Sequence, residues 1–302
     1  MVILNRRKFF QMSAATFLAE NLFTADGAPL PAPAQRFLRG FGTASGPYSS
    51  EILRLEAMTG TALTGWKTHP DTLPHPEDPN LDDSDWAVVP PPRPGERRPR
   101  PTGQGGTWFR NWVEIPKQMG GYNIQGLPAR LNLRVFGGSR GPIRVFSNGS
   151  MVEMTPSNTQ QPILLTHSAR PGQKWLIAAY SPAPAGIFAR LEVDYPAGQS
   201  NPQMLMEEIL CVEAASNGFE DGKAERDAQL SAAVKAIDFG ALDSGNQKGF
   251  DQSLAAADDK MQPLAEWIRQ FTIRAVGNSH IDMAWLWPWP ETVEVVRDTF
   301  GT

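Results

Sequence analysis

The sequence predicts a multidomain protein: an all-β sandwich or jelly roll, then a helical segment, then the first βα unit of a β/α barrel. Three observations lead to this fold class. From residue 107 onward, apolar and polar residues alternate with the period of strands. At Pro202 the composition shifts to Ala, Glu, Lys and Leu, and apolar residues recur at helical spacing. Residues 273–276 again favour a strand, and a helix start follows at Pro290.

Length and composition allow at least two domains and argue against several functional classes. The chain has 302 residues, of which 41% are hydrophobic, as in ordinary globular proteins. The net charge of −4 gives no electrostatic reason to expect nucleic acid or an anionic membrane as a partner. No stretch of the sequence reaches the roughly 18 apolar residues expected of a membrane span. The single cysteine, Cys211, excludes an intrachain disulfide and is expected to be an inert buried thiol.

Residues 1–34 are predicted to be an export signal. The paired arginines Arg6 and Arg7 precede a lysine and two phenylalanines, and this pattern resembles a twin-arginine signal. A modest apolar run covers residues 12–19, and the small residues at 32–34 fit a cleavage site. We therefore expect an exported, periplasmic or extracellular protein. The alternative is a cytoplasmic protein whose N-terminus is an amphipathic helix with an incidental arginine pair.

Residues 35–106 are interpreted as a mixed, loop-rich lead-in. Four apolar residues between 52 and 58 fit either a short helix or a bent strand: Ile52, Leu53, Leu55 and Met58. The prolines and arginines between residues 90 and 100 indicate a solvated loop rather than a binding patch.

Residues 107–200 carry the strand pattern and are predicted to form the β-sandwich. On the first strand, Trp108, Arg110 and Trp112 alternate with residues of the opposite face. Asn148-Gly149 between two apolar runs predicts a hairpin, because this dipeptide tolerates the positive φ angles of a tight turn. Further short strands are expected at residues 131–135, 163–166, 175–180 and 187–193. The tryptophans between 66 and 175 are interpreted mainly as core residues.

Residues 201–272 are predicted to be a helical linker, with helices over 204–215 and 223–237 and a third that begins near Phe250. Apolar residues of the third helix, from Phe250 to Phe271, recur at intervals of three and four and form one packing face. Pro263 is expected to kink this helix or mark a boundary. The helix leads to a predicted strand at 273, which opens a last segment over residues 273–302.

The segment from 273 to 302 contains the clearest candidate site. If the backbone stays extended through His280, the side chains of His280 and Asp282 project to the same side, about 6.6 Å apart along the strand. An imidazole nitrogen and a carboxylate oxygen so placed can bind one Zn²⁺ at roughly 2.0–2.2 Å. Tryptophans follow at 285, 287 and 289, and an indole face is a natural platform for a sugar ring. A bare His-x-Asp alone is weak support for a metal site, because it occurs by chance in many chains.

The residues around this pair carry a resemblance. The run Gly277-Asn278-Ser279-His280-Ile281-Asp282-Met283-Ala284-Trp285-Leu286-Trp287-Pro288 resembles the start of the catalytic domain of α-mannosidases of glycoside hydrolase family 38. The match covers directly only about the last thirty residues. The upstream order, a β-rich domain and then helices, is similar to the cytosolic and bacterial branch of the family. The sandwich itself resembles the galactose-binding-like modules at the N-terminus of several glycosidases.

The resemblance implies a zinc-dependent retaining α-mannosidase that acts on mannose-containing oligosaccharides or glycans. His280 and Asp282 match two of the family's four zinc ligands, and Trp285 matches the ring that stacks under the bound sugar. The resemblance places the nucleophile, the general acid and the other ligands beyond Thr302, so the chain is expected to be an inactive, truncated fragment. No motif surrounds His69, His75 or His167, and Glu291 is interpreted as a helix N-terminal carboxylate or a partner of the site.

Two alternatives stay open. The chain could be a non-catalytic carbohydrate-binding sandwich, which would bind sugar through residues 107–195 and be indifferent to zinc. It could also belong to another metal-dependent barrel hydrolase, such as a deacetylase. The second alternative accounts for His280 and Asp282 but leaves the aromatic run through Trp289 unexplained.

Overall fold

The computed structural model of the protein describes residues 46–90, 105–136, 142–155 and 160–272, together with Trp289 and Val293. The chain divides into two compact units, Met1–Ala265 and Glu266–Thr302. The predicted export signal and the predicted strand at 273–276 lie outside the described residues. Among the described helices, none has the length and apolar composition needed to cross a bilayer.

Twelve strands and five helices make up the described residues. In chain order they are α1 (Ser49–Thr59), β1 (Gly60–Ala62), β2 (Lys67–Pro70), β3 (Ala87–Val88), β4 (Thr107–Glu114), β5 (Gln118–Met119), β6 (Tyr122–Asn123), β7 (Ala129–Phe136), β8 (Ile143–Ser147), β9 (Ser150–Thr155), β10 (Gln160–Thr166), β11 (Lys174–Ser181), β12 (Gly186–Val193), α2 (Pro202–Asn217), α3 (Lys223–Val234), α4 (Phe239–Asp243) and α5 (Gln247–Ile268).

Two antiparallel sheets form a sandwich, as the alternating pattern predicts. One sheet has the order β1-β12-β7-β10 and the other the order β3-β2-β4-β11-β8-β9. A single apolar core lies between the sheets, because each strand presents every second side chain to the same face. Core residues from the six-stranded sheet include Phe109, Val113, Ile143, Val145, Ile177 and Ala179, and those from the four-stranded sheet include Leu131, Leu133, Val135, Ile187, Ala189 and Leu191.

The predicted hairpin is confirmed. β8 and β9 pair antiparallel, and the turn between them has positive φ angles at Asn148 (48°) and Gly149 (83°). Asparagine and glycine adopt this left-handed conformation at lower cost than other residues, which explains the turn at this dipeptide. A bulge between Val145 and Phe146 leaves Val152 without a partner in the register.

The range 35–106 contributes more structure to the sandwich than its composition indicates. Its ambiguous apolar residues form the helix α1, which buries Ile52, Leu55 and Met58, whereas Leu53 is exposed. The strands β1, β2 and β3 from this range join the two sheets. These strands are only two to four residues long, too short for a reliable alternation of polar and apolar side chains.

A folded loop, residues 71–86, covers part of the outer face of the six-stranded sheet. Arg110 projects from β4 into this loop and is only 1% exposed. Its Nε donates to a carboxylate oxygen of Asp83 at 3.0 Å, and its guanidinium lies over the Trp86 ring at 5.5 Å. Its terminal nitrogens donate to three loop carbonyls, those of Pro76, Asp78 and Leu81. The buried arginine therefore makes four of the contacts that hold the loop, since a guanidinium offers five donors in a fixed plane. Lys67 of β2 adds another by donating to Asp83 at 2.6 Å.

The tryptophans between residues 66 and 175 are buried or packed against an apolar cluster, as predicted, with one exception. Trp66 is buried in the core between the sheets, and Trp175 packs against it. Trp86 and Trp108 are buried in a second apolar cluster. Trp112 is 50% exposed, so its assignment to the core is wrong.

The helical segment follows the predicted order, with a short extra helix, α4. α2 begins at Pro202, where the side chain of Asn201 accepts the backbone N–H of Met204 at 2.9 Å. The packing face of α5 is buried at Phe250, Leu254, Ala257, Met261, Leu264 and Ile268. The helix continues through Pro263 to Ile268, and the division between the two units falls within its last turn, between Ala265 and Glu266.

Polar contacts fasten the helices of the first unit to the sandwich. The Tyr122 hydroxyl donates to Asp251 of α5 at 3.0 Å, and the Tyr195 hydroxyl donates to the carbonyl of Met58 in α1 at 2.9 Å. Burial, with Asp251 nearby, raises the pKa of Tyr122 well above its ordinary value. The sandwich and the helices up to Ala265 therefore pack as one unit.

Candidate functional site

The predicted metal pair cannot be placed in space from the described residues. His280, Asp282, Trp285 and the neighbouring Glu291 all lie outside them. Within the ranges that the structure describes, no group of three histidine, cysteine or acidic side chains is arranged to hold a metal ion. The site assignment at His280 and Asp282 therefore remains a prediction from the sequence.

The other histidines occupy positions that their local contacts explain. His69 packs against the ring of Trp86 at 5.1 Å, and its Nδ1 lies 2.7 Å from the carbonyl oxygen of Pro70. His75 is exposed, with its Nδ1 3.3 Å from a carboxylate oxygen of Glu77. His167 is exposed as well.

The single cysteine fits the expectation of an inert thiol. Cys211 lies on α2 and forms no disulfide. Burial, with the nearby Glu208 as a smaller cause, raises the pKa of its thiol to about 11. The thiol is therefore protonated at neutral pH, whereas metal binding and nucleophilic attack both require the thiolate.

The outer face of the six-stranded sheet, which points away from the sandwich core, contains a group of aromatic and charged side chains. The strand register places its side chains in rows across the sheet. One row contains His69, Trp108, Tyr180, Arg144 and Met154 on five successive strands.

Asp71 connects this row to the loop. One carboxylate oxygen accepts from Trp108 Nε1 at 3.0 Å, and the other accepts from the Tyr180 hydroxyl at 2.8 Å. Burial raises the pKa of Tyr180, and the hydrogen bond to Asp71 raises it further. The rings of Trp108 and Tyr180 are 4.9 Å apart, and the Arg144 guanidinium covers the Tyr180 ring at 4.4 Å. Because protein groups occupy these ring faces, this row is packed rather than open to a ligand.

A more open row lies beyond that of Arg110 and contains Trp112, which is 50% exposed. Trp112 pairs across the sheet with Leu176, which is fully buried. The next row holds Glu114 and Lys174, whose charged groups are 3.0 Å apart and about half exposed.

The outer face of the four-stranded sheet carries a polar cluster with a structural role. Arg190 of β12 forms an ion pair with Glu56 and donates to the Thr59 hydroxyl at 3.1 Å, which fastens α1 to the sheet. Glu192 accepts weakly from the Asn132 amide at 3.4 Å, and burial raises the pKa of its carboxyl. The contacts of this cluster are explained by the attachment of α1.

Sequence reasoning missed the open row around Trp112. The alternation on β4 correctly placed Trp108, Arg110 and Trp112 on one face. It carried no information on how far the loop from a distant part of the chain would cover that face. The loop covers Arg110 and leaves Trp112 half exposed.

Comparisons with known proteins give distant structural similarities only. No protein-family model matches the sequence, and no curated protein matches it. A glycosyl hydrolase family 2 member from Bacteroides cellulosilyticus is 18% identical over 46% of this chain and 21% of its own, with a TM-score of 0.34. A β-glucuronidase from glycoside hydrolase family 2 is 16% identical over 44% of this chain and 17% of its own, at 0.31. A β-glycosidase from Bacteroides vulgatus is 18% identical over 45% of this chain and 20% of its own, with a TM-score of 0.31.

This chain thus spans about a fifth of the length of these glycosidases. At TM-scores this low the similarity does not decide the function. The family 38 assignment therefore rests on the sequence of residues 277–288.

Proposed function

We propose that this chain carries the N-terminal module and the opening of the zinc site of a retaining α-mannosidase of glycoside hydrolase family 38. The observation that carries the proposal is the run from Gly277 to Pro288, in which His280 and Asp282 are followed by Trp285. The substrate would be a terminal α-mannoside of an oligosaccharide or glycan.

The donor set suits zinc. An imidazole nitrogen and a carboxylate oxygen are ligands that Zn²⁺ takes in catalytic sites, so His280 and Asp282 would hold the metal. When bound, zinc would help orient two hydroxyls of the sugar and favour a flattened, oxocarbenium-like ring. Trp285 would present its indole face to the C–H face of the same sugar.

Catalysis requires groups beyond these three residues. Retaining hydrolysis needs a carboxylate nucleophile and a carboxylic acid about 5–5.5 Å apart. No residue of this sequence matches the family's nucleophile, its general acid or its remaining histidine ligand. The proposal therefore concerns a protein in which further residues complete the site, and the 302 residues alone should lack activity.

The N-terminal sandwich would be a jelly-roll, galactose-binding-like module. Its two antiparallel sheets and the non-consecutive order β1-β12-β7-β10 support this class, because jelly rolls join their two sheets by such crossovers. The helices between Pro202 and Ile268 would connect this module to a β/α barrel.

We also propose export through a twin-arginine pathway, on the basis of Arg6 and Arg7. Changing both to lysine should retain the protein in the cytoplasm of a bacterium that has this pathway, because a receptor reads the arginine pair. Periplasmic yield is the measurement, and an unchanged yield would contradict the targeting proposal.

The central experiment uses an α-mannosidase that contains residues 273–302. His280→Ala and Asp282→Ala should each lower zinc content and kcat together, because the metal loses a ligand. Trp285→Ala should keep the zinc and weaken substrate binding by about 1–3 kcal/mol. Glu294→Gln, which changes a carboxylate of the same segment outside the motif, is the control, with zinc retained.

The purified 302-residue chain gives a separate check. It should bind zinc weakly and should not hydrolyse an aryl α-mannoside, since it supplies two of four ligands. Turnover by this chain, or full zinc and full rate after His280→Ala, would show that the active site has been misplaced.

A further inference from the structure

Trp112 is half exposed, whereas three other tryptophans of the sandwich are buried. Its exposed fraction is 50%, whereas Trp66, Trp86 and Trp108 are 3–4% exposed. All four belong to the first unit, and two of them, Trp108 and Trp112, lie on the same strand and the same face. A large aromatic surface left in water loses the stabilisation that burial would give it. Its exposure leaves one indole face available to another molecule.

The surroundings of Trp112 are suited to a small polar ligand. The register partner of Trp112 on β11 is Leu176, which is fully buried. The ion pair of Glu114 and Lys174 flanks it in the next row, and each charged group is about half exposed. The carboxylate offers acceptors and the ammonium offers donors beyond those used in the ion pair itself.

This combination favours a sugar over a protein partner. A pyranose ring has one face of C–H groups, which packs on an indole, and a rim of hydroxyls, which both donate and accept hydrogen bonds. Protein interfaces instead bury contiguous apolar surface. The exposed apolar residues Met151, Val152 and Met154 lie on β9, three strands from Trp112 and about 14 Å away by strand spacing. The exposed Val88 of β3 lies on the other side, two strands or about 10 Å away, so Trp112 is separated from both groups of exposed apolar residues.

We propose that Trp112, Glu114 and Lys174 form a binding site for one pyranose unit of a neutral oligosaccharide. The indole would stack on the C–H face of the sugar, Glu114 would accept from its hydroxyls, and Lys174 would donate to them. The site lies within the sandwich and contains none of the residues assigned to zinc. It would hold a glycan on the protein surface without any bond being broken.

The test uses the 302-residue chain and nuclear magnetic resonance. The indole N–H signal of Trp112 is assigned as the one lost in Trp112→Phe. Mannohexaose, cellohexaose and xylohexaose are then titrated separately into the wild-type chain. At least one should shift the Trp112 signal in a saturable manner, while the buried indole signals stay in place. Trp112→Ala should weaken binding about tenfold or more, the loss expected of one aromatic contact.

The phenylalanine variant and a matched control sharpen the result. Trp112→Phe should retain part of the affinity, because a smaller aromatic face remains. Glu114→Gln and Lys174→Met should each weaken binding by severalfold without changing the melting temperature appreciably. Phe219→Ala removes a similarly exposed ring, 47%, at the C-terminal end of α2, and should leave binding unchanged.

Two outcomes would overturn the proposal. In one, none of the three oligosaccharides shifts the Trp112 signal, or the shifts persist unchanged in Trp112→Ala. In the other, wild-type chains associate at rising concentration and Trp112→Ala abolishes this association, which would make the ring a protein contact. The zinc site plays no part in any of these measurements, so failure of the α-mannosidase proposal would leave them unaffected.

Discussion

The two faces of β4 are built by different means. The inner face presents Phe109 and Val113 to a core shared by two sheets, and both are about 1% exposed. The outer face presents Arg110 with the same exposure, covered by a loop that its guanidinium holds in place. Apolar area stabilises the first face, and directed hydrogen bonds stabilise the second. The same strand therefore contains one surface that tolerates similar apolar residues and one that depends on a single residue type.

The largest effect is expected on the inner face. Phe109→Ala removes a buried ring from the core and should lower the free energy of unfolding by about 3–5 kcal/mol, because the cavity cannot fully collapse. Urea denaturation followed by far-ultraviolet circular dichroism measures this loss. Leucine at the same position should recover much of it, since the position requires apolar volume. A similar loss with leucine and with alanine would contradict this description of the inner face.

Arg110→Leu should have a somewhat smaller effect of a different kind. The substitution keeps apolar volume but leaves three loop carbonyls and one carboxylate oxygen of Asp83 without their donor, at an expected loss of about 3 kcal/mol. Lys67 still donates to the other oxygen of Asp83. The loss should be local at first, so limited proteolysis should cut within residues 71–86 before the sheets unfold.

Arg110→Lys tests whether charge alone is sufficient. A single ammonium cannot reproduce the planar set of donors that reaches Asp83 and three carbonyls, so lysine should restore only part of the stability. Full recovery with lysine, or cleavage sites spread evenly over the chain, would indicate that the arginine does not organise the loop.

Asp71→Asn should weaken the second attachment of the loop by about 1 kcal/mol, because Trp108 and Tyr180 both donate to this carboxylate. The variant should also lower the raised pKa of Tyr180. A tyrosine with a raised pKa in the folded state stays protonated above the pH at which the unfolded chain ionises. The contribution of Tyr180 to the free energy of unfolding is therefore fully present below pH 10 and is lost as the pH rises through the raised pKa of this residue.

Tyrosinate absorbance during an alkaline titration is the measurement for this variant. One tyrosine of four should ionise at lower pH in Asp71→Asn than in the wild-type chain, before unfolding. Tyr122→Phe serves as a control, because its partner is Asp251 rather than Asp71. Identical titration curves for the two proteins would mean that Asp71 does not affect Tyr180.

The two faces of β4 also differ in how well the sequence predicts them, because one depends on local residues and the other on distant ones. The inner face of β4 follows from a local pattern of period two, and the hairpin at Asn148-Gly149 follows from the conformational freedom of those two residues. The outer face depends on contacts between Arg110 and residues about thirty positions earlier in the chain. No local period encodes such contacts, so residues 71–86 looked like an ordinary loop and Trp112 looked like a core residue.

The candidate sites show a related contrast. His280, Asp282 and Trp285 were found because their order along the chain resembles a family motif, and their arrangement in space stays a prediction. Trp112, Glu114 and Lys174 follow no known motif and become visible only through burial and strand register. A sequence motif reveals residues that are close together along the chain. Strand pairing in the structure reveals residues that are distant in the chain and adjacent in the sheet.

The smallest effect on stability is expected at Trp112. Its size shows whether all the tryptophans of the outer face of β4 support the fold to the same degree. Trp108→Ala should cost about 3–5 kcal/mol, because that ring is 4% exposed and donates to Asp71. Trp112→Ala, two residues along on the same face, should change the free energy of unfolding by no more than about 0.5 kcal/mol. Paired urea melts of the two variants provide the measurement. A loss near 3 kcal/mol for Trp112→Ala would mean that the ring supports the fold and that its exposure is not reserved for a ligand. A change close to zero would mean that the half-exposed indole contributes little to the fold. A residue of that kind can serve a ligand without being needed for stability.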